Sequence, residues 1–221
     1  MPTIKEPEYN YTTYDLFPTL AWKVRSPYKF NNTEKKYITE QLNKQNIISN
    51  GLGNYTSKNN RILDHPILED FKTECIKHLN NYYDYAYQPI DPPTFYITQS
   101  WLNRTRYEET HLNHAHSNSF LSAVYYYKTL SSSNDSEKDR IRFWTPVPHA
   151  HWETPAKTYT LYNSRTWDVY VSTGDLIVFP SWFQHSVPHK KTTGDRISLA
   201  FNSFFKGTMG HEDSLNELTL R

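Results

Sequence analysis

Gly174-Asp175-Leu176-Ile177-Val178-Phe179-Pro180-Ser181-Trp182-Phe183-Gln184-His185-Ser186-Val187 is the stretch on which the fold turns. Gly174-Asp175 makes a turn, Leu176 to Phe179 is a wholly apolar run of strand length, and Pro180 ends its ladder. Such a run reads as a strand buried on both faces, which carries the chain toward His185 at its far end. Working outward, the hydrophobic period is two from Pro92 onward. Segments 94–102, 119–128, 140–144, 158–162, 166–172, 175–180 and 196–204 are expected strands, with 131–138 a polar loop. Short strands at this spacing predict a mainly β fold, a jelly roll or related barrel.

The amino-terminal part reads differently. The stretch from Leu16-Phe17-Pro18 to Trp22 suggests an extended strand, and a first helix follows with Asn31 or Thr33 as its cap, Glu34 in its first turn and Ile38 and Leu42 on one face. Residues 46–60 are polar and contain glycine, so a loop is expected. A second helix has Pro66 near its start and an apolar stripe of Leu68, Phe71, Cys75, Leu79 and Tyr82 or Tyr83, with Cys75 a buried small hydrophobe. The expected organisation is one domain over 1–221: an amino-terminal strand and helical buttress (1–91), a jelly-roll core (92–206) and a tail (207–221).

Charge and composition narrow the function. With 24 Lys+Arg against 23 Asp+Glu the chain has a net charge of +1, so nothing supports a nucleic-acid partner, and the 37% hydrophobic and 16% aromatic content argues against disorder. A lone cysteine excludes a disulfide framework and a thiolate cage, leaving ten histidines and the carboxylates as candidate metal ligands. No apolar run is long enough to span a bilayer, and Met1 to Phe30 lacks a signal-peptide layout, so a cytoplasmic protein with no membrane partner is expected. Association into a homo-oligomer is compatible with this composition. There is no helical His-Glu-x-x-His, no Gly-rich phosphate loop and no Gly-x-Ser-x-Gly elbow. Hydrolase and nucleotide-handling motifs are therefore missing.

Three features of the β half point to chemistry if the barrel closes. His114-Ala115-His116 precedes an expected strand, and residues two apart on extended chain face the same way about 7 Å apart, within reach of one ion. His185 is the third ligand the sequence offers from a distant strand. Arg196-Ile197-Ser198 opens the last long strand, where Arg196, Ser198, Ala200 and Asn202 share a face. A guanidinium on an interior face needs an anion, and a small dicarboxylic ligand would supply one, with Ser198 donating to the same carboxylate. On a surface, Arg196 would instead pair with Asp175 or Asp195. Trp101, Tyr125, Tyr127, Trp144, Trp152 and Trp182 are either pocket lining or, more often for such residues, core.

Taken together, Thr98 to Asn103, His114 to Tyr126, Gly174 to Val187 and Arg196-Ile197-Ser198 resemble the Fe(II)- and 2-oxoglutarate-dependent oxygenases of the double-stranded β-helix fold, in particular their small bacterial and phage members. The resemblance implies that His114, the residue at position 116 and His185 hold Fe(II), and that Arg196 with Ser198 binds the distal carboxylate of 2-oxoglutarate. It further implies that Tyr126, Ser122 and Asn103 assist that cosubstrate, and that dioxygen is consumed as 2-oxoglutarate is decarboxylated to succinate. The usual outcome is hydroxylation of a small-molecule or protein substrate.

One position departs from the common pattern. Most of the superfamily carries Asp or Glu where this chain has His116, and three neutral imidazoles leave the metal's charge unbalanced. Glu108, Glu109 or Asp168 are alternative carboxylate ligands, and His111 is expected at the entrance. A cupin-like metal protein that uses no 2-oxoglutarate is the alternative reading. Cupins usually bring a Glu soon after His-x-His, however, and Ser117 to Leu121 contains none.

Overall fold

The computed structural model describes residues 12–130, 134, 136–146 and 155–221. Along the chain run β1 (Trp22–Arg25), α1 (Asn32–Gln41), β2 (Ile47–Ser49), β3 (Tyr55–Ser57), α2 (Glu69–Tyr87), β4 (Thr94–Thr105), β5 (His111–His114) and β6 (Leu121–Lys128). They are followed by β7 (Arg140–Trp144), β8 (Thr166–Tyr170), β9 (Asp175–Pro180), β10 (His185–Val187), β11 (Arg196–Met209) and β12 (Leu218–Leu220). The major sheet has the order β1-β9-β6-β11-β4-β3-β2, with β12 on β11, and the minor sheet has the order β5-β10-β7-β8. Every ladder within them is antiparallel, and the two sheets sandwich a small interior, the double-stranded β-helix architecture expected above.

Alternation along the central strands explains the layering. Leu121, Ala123 and Tyr125 of β6, Leu176 and Val178 of β9, and Leu199 and Phe201 of β11 point outward and join Phe71, Cys75 and Leu79 of α2 in the larger core. The intervening Tyr126, Ile177 and Phe179 point inward and meet Ile141 and Phe143 of β7. This two-sided burial is why β9 is apolar throughout. Of the two expected caps for helix α1 the structure uses Asn31, whose Oδ1 accepts from Thr33 N (2.9 Å) and Glu34 N (3.0 Å) while Glu34 Oε2 accepts from Asn31 N (2.6 Å).

Several local expectations are corrected. Segment 158–162 is a bend and turn and not a strand, because Asn163 Oδ1 accepts from Thr160 N (2.6 Å) and Asn163 Nδ2 donates to Thr158 O (3.1 Å), folding the β-prone residues onto themselves. The expected loop 46–60 contains β2 and β3, which extend the major sheet beyond β4. At the amino terminus the strand begins only at Trp22, since Phe17 has φ 58° and stands exposed. Within the expected tail, β12 pairs with the end of β11. Of the expected polar loop 131–138, residues 131–133 and 135 lie outside the described residues.

Candidate active site

Two strands too short to be conspicuous position the histidines. β5 and β10 pair side by side in the minor sheet with His114 directly opposite His185, and the backbone N–H of His116, just past β5, donates to Ser181 O (2.9 Å). One ring nitrogen from each of His114, His116 and His185 falls within 4.8 Å of the others. His114 Nδ1 lies 2.8 Å from Leu112 O and His185 Nδ1 lies 3.0 Å from Phe183 O. A carbonyl can only accept, so each Nδ1 carries the proton and each Nε2 keeps a free lone pair. His116 packs edge-on to His114 (ring centroids 5.1 Å) and against Trp101 (5.7 Å).

Electrostatics hold these rings neutral. Burial pushes His185 well below the ordinary imidazole pKa and lowers His114, whose bond to the Leu112 carbonyl partly offsets the effect. Burial, then the neighbouring His114, brings His116 down to about 4. Three neutral, converging nitrogens with no carboxylate form a donor set that suits iron, zinc, copper or nickel. The residues present therefore fit a divalent transition metal.

None of the alternative carboxylates reaches this cluster. Asp168 is gripped by Arg142 through two bonds (2.7 and 2.9 Å), Glu109 Oε2 accepts from Arg106 N (2.7 Å), and Glu108 does not line the cavity. His111, expected at the entrance, lies within the cavity itself, stacked on His114 with centroids 4.3 Å apart. Burial, together with His114 and Arg196 nearby, lowers its pKa to about 3.

The major sheet contributes the opposite wall. Register places Ser198 of β11 between Asn103 of β4 and Tyr126 of β6, making one transverse polar row, and Arg196 pairs with Thr105 in the register above. All of these except Thr105 line the same cavity as the four histidines. Arg196 is only 3% exposed; its Nη2 donates to Thr105 Oγ1 (3.0 Å) while Nε has no partner. The surface pairing with Asp175 or Asp195 is thus replaced by a buried setting. The nearest acid is Asp139, 4.0 Å from Nη1, which sequence reasoning missed because it sits in a polar loop before β7. Lys190 is also buried, bonded through Nζ to Thr192 O (2.9 Å). Two buried cations against one carboxylate leave room for one further negative charge.

Not every anticipated residue faces the cavity. Ser122 lies beneath it, its hydroxyl bonded to Ser181 Oγ and Asn202 Oδ1 (both 2.8 Å), so it is committed within the core. Trp101 does line the cavity, whereas Tyr125 and Tyr127 project from the other face of β6. Trp144 is part-exposed with Nε1 donating to Ser186 Oγ (2.9 Å), Trp182 is exposed, and Trp152 lies outside the described residues. Asn54 lines the cavity unforeseen; its only advance signal is its place in a glycine-bearing stretch beside Gly51 and Gly53.

Comparison with known proteins adds to this geometry. A family model described as "Putative 2OG-Fe(II) oxygenase" matches residues 99–202, whereas no curated protein matches the sequence. Among solved structures, HygX from Streptomyces hygroscopicus, crystallised with nickel, 2-oxoglutarate and hygromycin B, is similar at 14% identity and a TM-score of 0.54, over 84% of this chain and 82% of that one. The non-heme alpha ketoglutarate dependent epimerase SnoN from nogalamycin biosynthesis aligns at 12% identity and a TM-score of 0.56, over 84% and 78%. At such identities the likeness concerns the fold. No described helix is long and apolar enough to cross a membrane.

Proposed function

We propose, from the premise that this chain is an enzyme of the 2OG-Fe(II) oxygenase family through residues 99–202, that it oxidises its substrate with Fe(II) and 2-oxoglutarate through a three-histidine centre. The observation that carries the reading is one cavity holding three convergent neutral imidazoles and a buried guanidinium with an unpaired Nε. His114, His116 and His185 would hold the metal. When bound, Fe(II) supplies the redox chemistry by which dioxygen, 2-oxoglutarate and a C–H substrate become succinate, carbon dioxide and hydroxylated product.

The remaining roles follow from what each side chain offers. Arg196 binds the distal carboxylate, its planar fork matching two oxygens while the added charge balances the excess that Arg196 and Lys190 leave over Asp139. Ser198 and Tyr126 direct hydroxyls, and Asn103 its amide, from the adjoining row, fixing the ligand's orientation. Trp101 and Ile141 supply apolar walls that exclude water beside His116 and His185.

Incubation with Fe(II), 2-oxoglutarate and dioxygen, followed by NMR detection of succinate, tests the reading. Succinate should form with wild type and with the surface change Arg221→Ala but not with Arg196→Ala. Metal binding by wild type without any succinate would favour the cupin-like alternative. His116→Asp should retain metal; its loss in a folded variant would show that the third position requires imidazole.

A further inference from the structure

A second cavity, of about 440 Å³, lies on the opposite face of β6 from Tyr126, between the Arg25 to Phe30 segment, Lys35 of α1 and the Thr173-Gly174 turn. Gly174 has φ 90°, and a Cβ there would stand 3.3 Å from Arg25 Nη1, so the turn closes tightly on the Arg25 side chain. The cavity's floor is a prebuilt ring cluster. Phe30 sits 5.0 Å from Tyr28, 5.7 Å from Tyr125 and 5.3 Å from Tyr127, centroid to centroid.

Charge is one-sided here. Arg25, Lys29, Lys35 and Lys128 line the cavity and no carboxylate does. Of the nearby acids, Glu34 accepts from Asn31 N and the Tyr28 hydroxyl and Asp175 pairs with Lys23 (3.2 Å) and Arg25 (3.1 Å), while Asp70 acts on Tyr28 from outside the cavity lining. The ammonium groups of Lys29, Lys35 and Lys128 have no partner among the described residues. Tyr125 adds a further polar group: its ring is only 4% exposed, and its hydroxyl lies at the cavity without a side-chain or backbone partner among the described residues and is not sealed from solvent.

We propose that this cavity is a ligand site separate from the histidine cavity, taking a small anion carried on a planar ring, of the nucleoside phosphate class. The volume falls within the usual range for small-molecule sites of roughly 300–1,000 Å³. Aromatic rings stack a flat base, the three uncommitted ammonium groups meet phosphate oxygens, and the Tyr125 hydroxyl donates to the ligand.

Titration calorimetry with adenosine 5′-monophosphate, with adenosine and inorganic phosphate as its separate halves, tests the site. The nucleotide should bind more tightly than either half. Lys29→Glu and Lys128→Glu, both at exposed positions, should each weaken it about tenfold, as expected for loss of a charge-assisted contact. Tyr125→Phe, which keeps the ring packing, should weaken it several-fold, while Arg196→Ala leaves it unchanged. Absence of binding, equal binding of phosphate alone, or an affinity untouched by both lysine changes would overturn the proposal. Binding lost in Arg196→Ala but kept in the lysine variants would assign the nucleotide to the histidine cavity instead, and equally overturn it.

Discussion

The two faces of the major sheet use the same strands for opposite ends. Outward-facing Tyr125, Val178, Leu199 and Phe201 meet helix α2 in an apolar core, whereas inward-facing Tyr126, Ser198 and Arg196 present polar groups to a cavity. Burial on the first face is repaid at once by packing. On the second, an orphaned guanidinium nitrogen and an orphaned Asn103 Oδ1 remain unsatisfied. Neighbouring residues on one strand therefore serve different ends: Leu199 and Phe201 of β11 pack into the core, whereas Arg196 and Ser198 line the cavity.

Substitutions can sharpen or break this division. The largest effect is expected across the cavity, on the minor sheet: His185→Ala should drop metal content to background by elemental analysis, with the fold retained by circular dichroism. On the outward face, Phe201→Ala should cost about 3–5 kcal/mol in denaturant unfolding, the usual range for a fully buried ring, with metal stoichiometry unchanged in the folded fraction. Inward, Arg196→Ala should weaken 2-oxoglutarate binding by about 100-fold, in line with the ~2–5 kcal/mol lost when one partner of a buried charge pair is truncated, without lowering thermal stability. If it unfolds the protein, the two faces are not separable. The smallest change is Ser122→Ala, inward-pointing yet below the cavity, which should cost about 1 kcal/mol of stability and leave 2-oxoglutarate affinity alone.

How much of this was legible depended on strand length and on which residues carried the signal. β6, β7, β9 and β11 announce themselves through sustained alternation or apolar runs, and the Asn31 cap with Glu34 three residues on marks a helix start. The cavity's contents were mostly readable because His114, His116, His185 and Arg196 are chemically conspicuous. β5 and β10, the strands that hold the histidines, were not readable. His-Leu-Asn-His and His-Ser-Val are too short and too polar to show a period, and only pairing with each other and with β7 makes them strands. Asp139 and Asn54 escaped for a related reason: each reaches the site from outside a regular strand, so tertiary placement alone gives it meaning. Thr158 to Tyr162 misled because β propensity was outvoted by local side-chain bonds to the backbone.

Strand β1 carries a last consequence. Its four residues lie along β9, from Trp22 against Val178 to Arg25 against Asp175, so that the most apolar strand of the molecule is not a margin of the sheet. Lys23 and Arg25 then turn charged side chains to solvent at the margin that β1 itself forms. A short, cationic border discourages a second molecule from zippering on, whereas Leu176 to Phe179 laid bare would invite it. Trimming the chain past Arg25 should therefore leave β9 as a bare, apolar sheet edge and promote aggregation, which light scattering would detect.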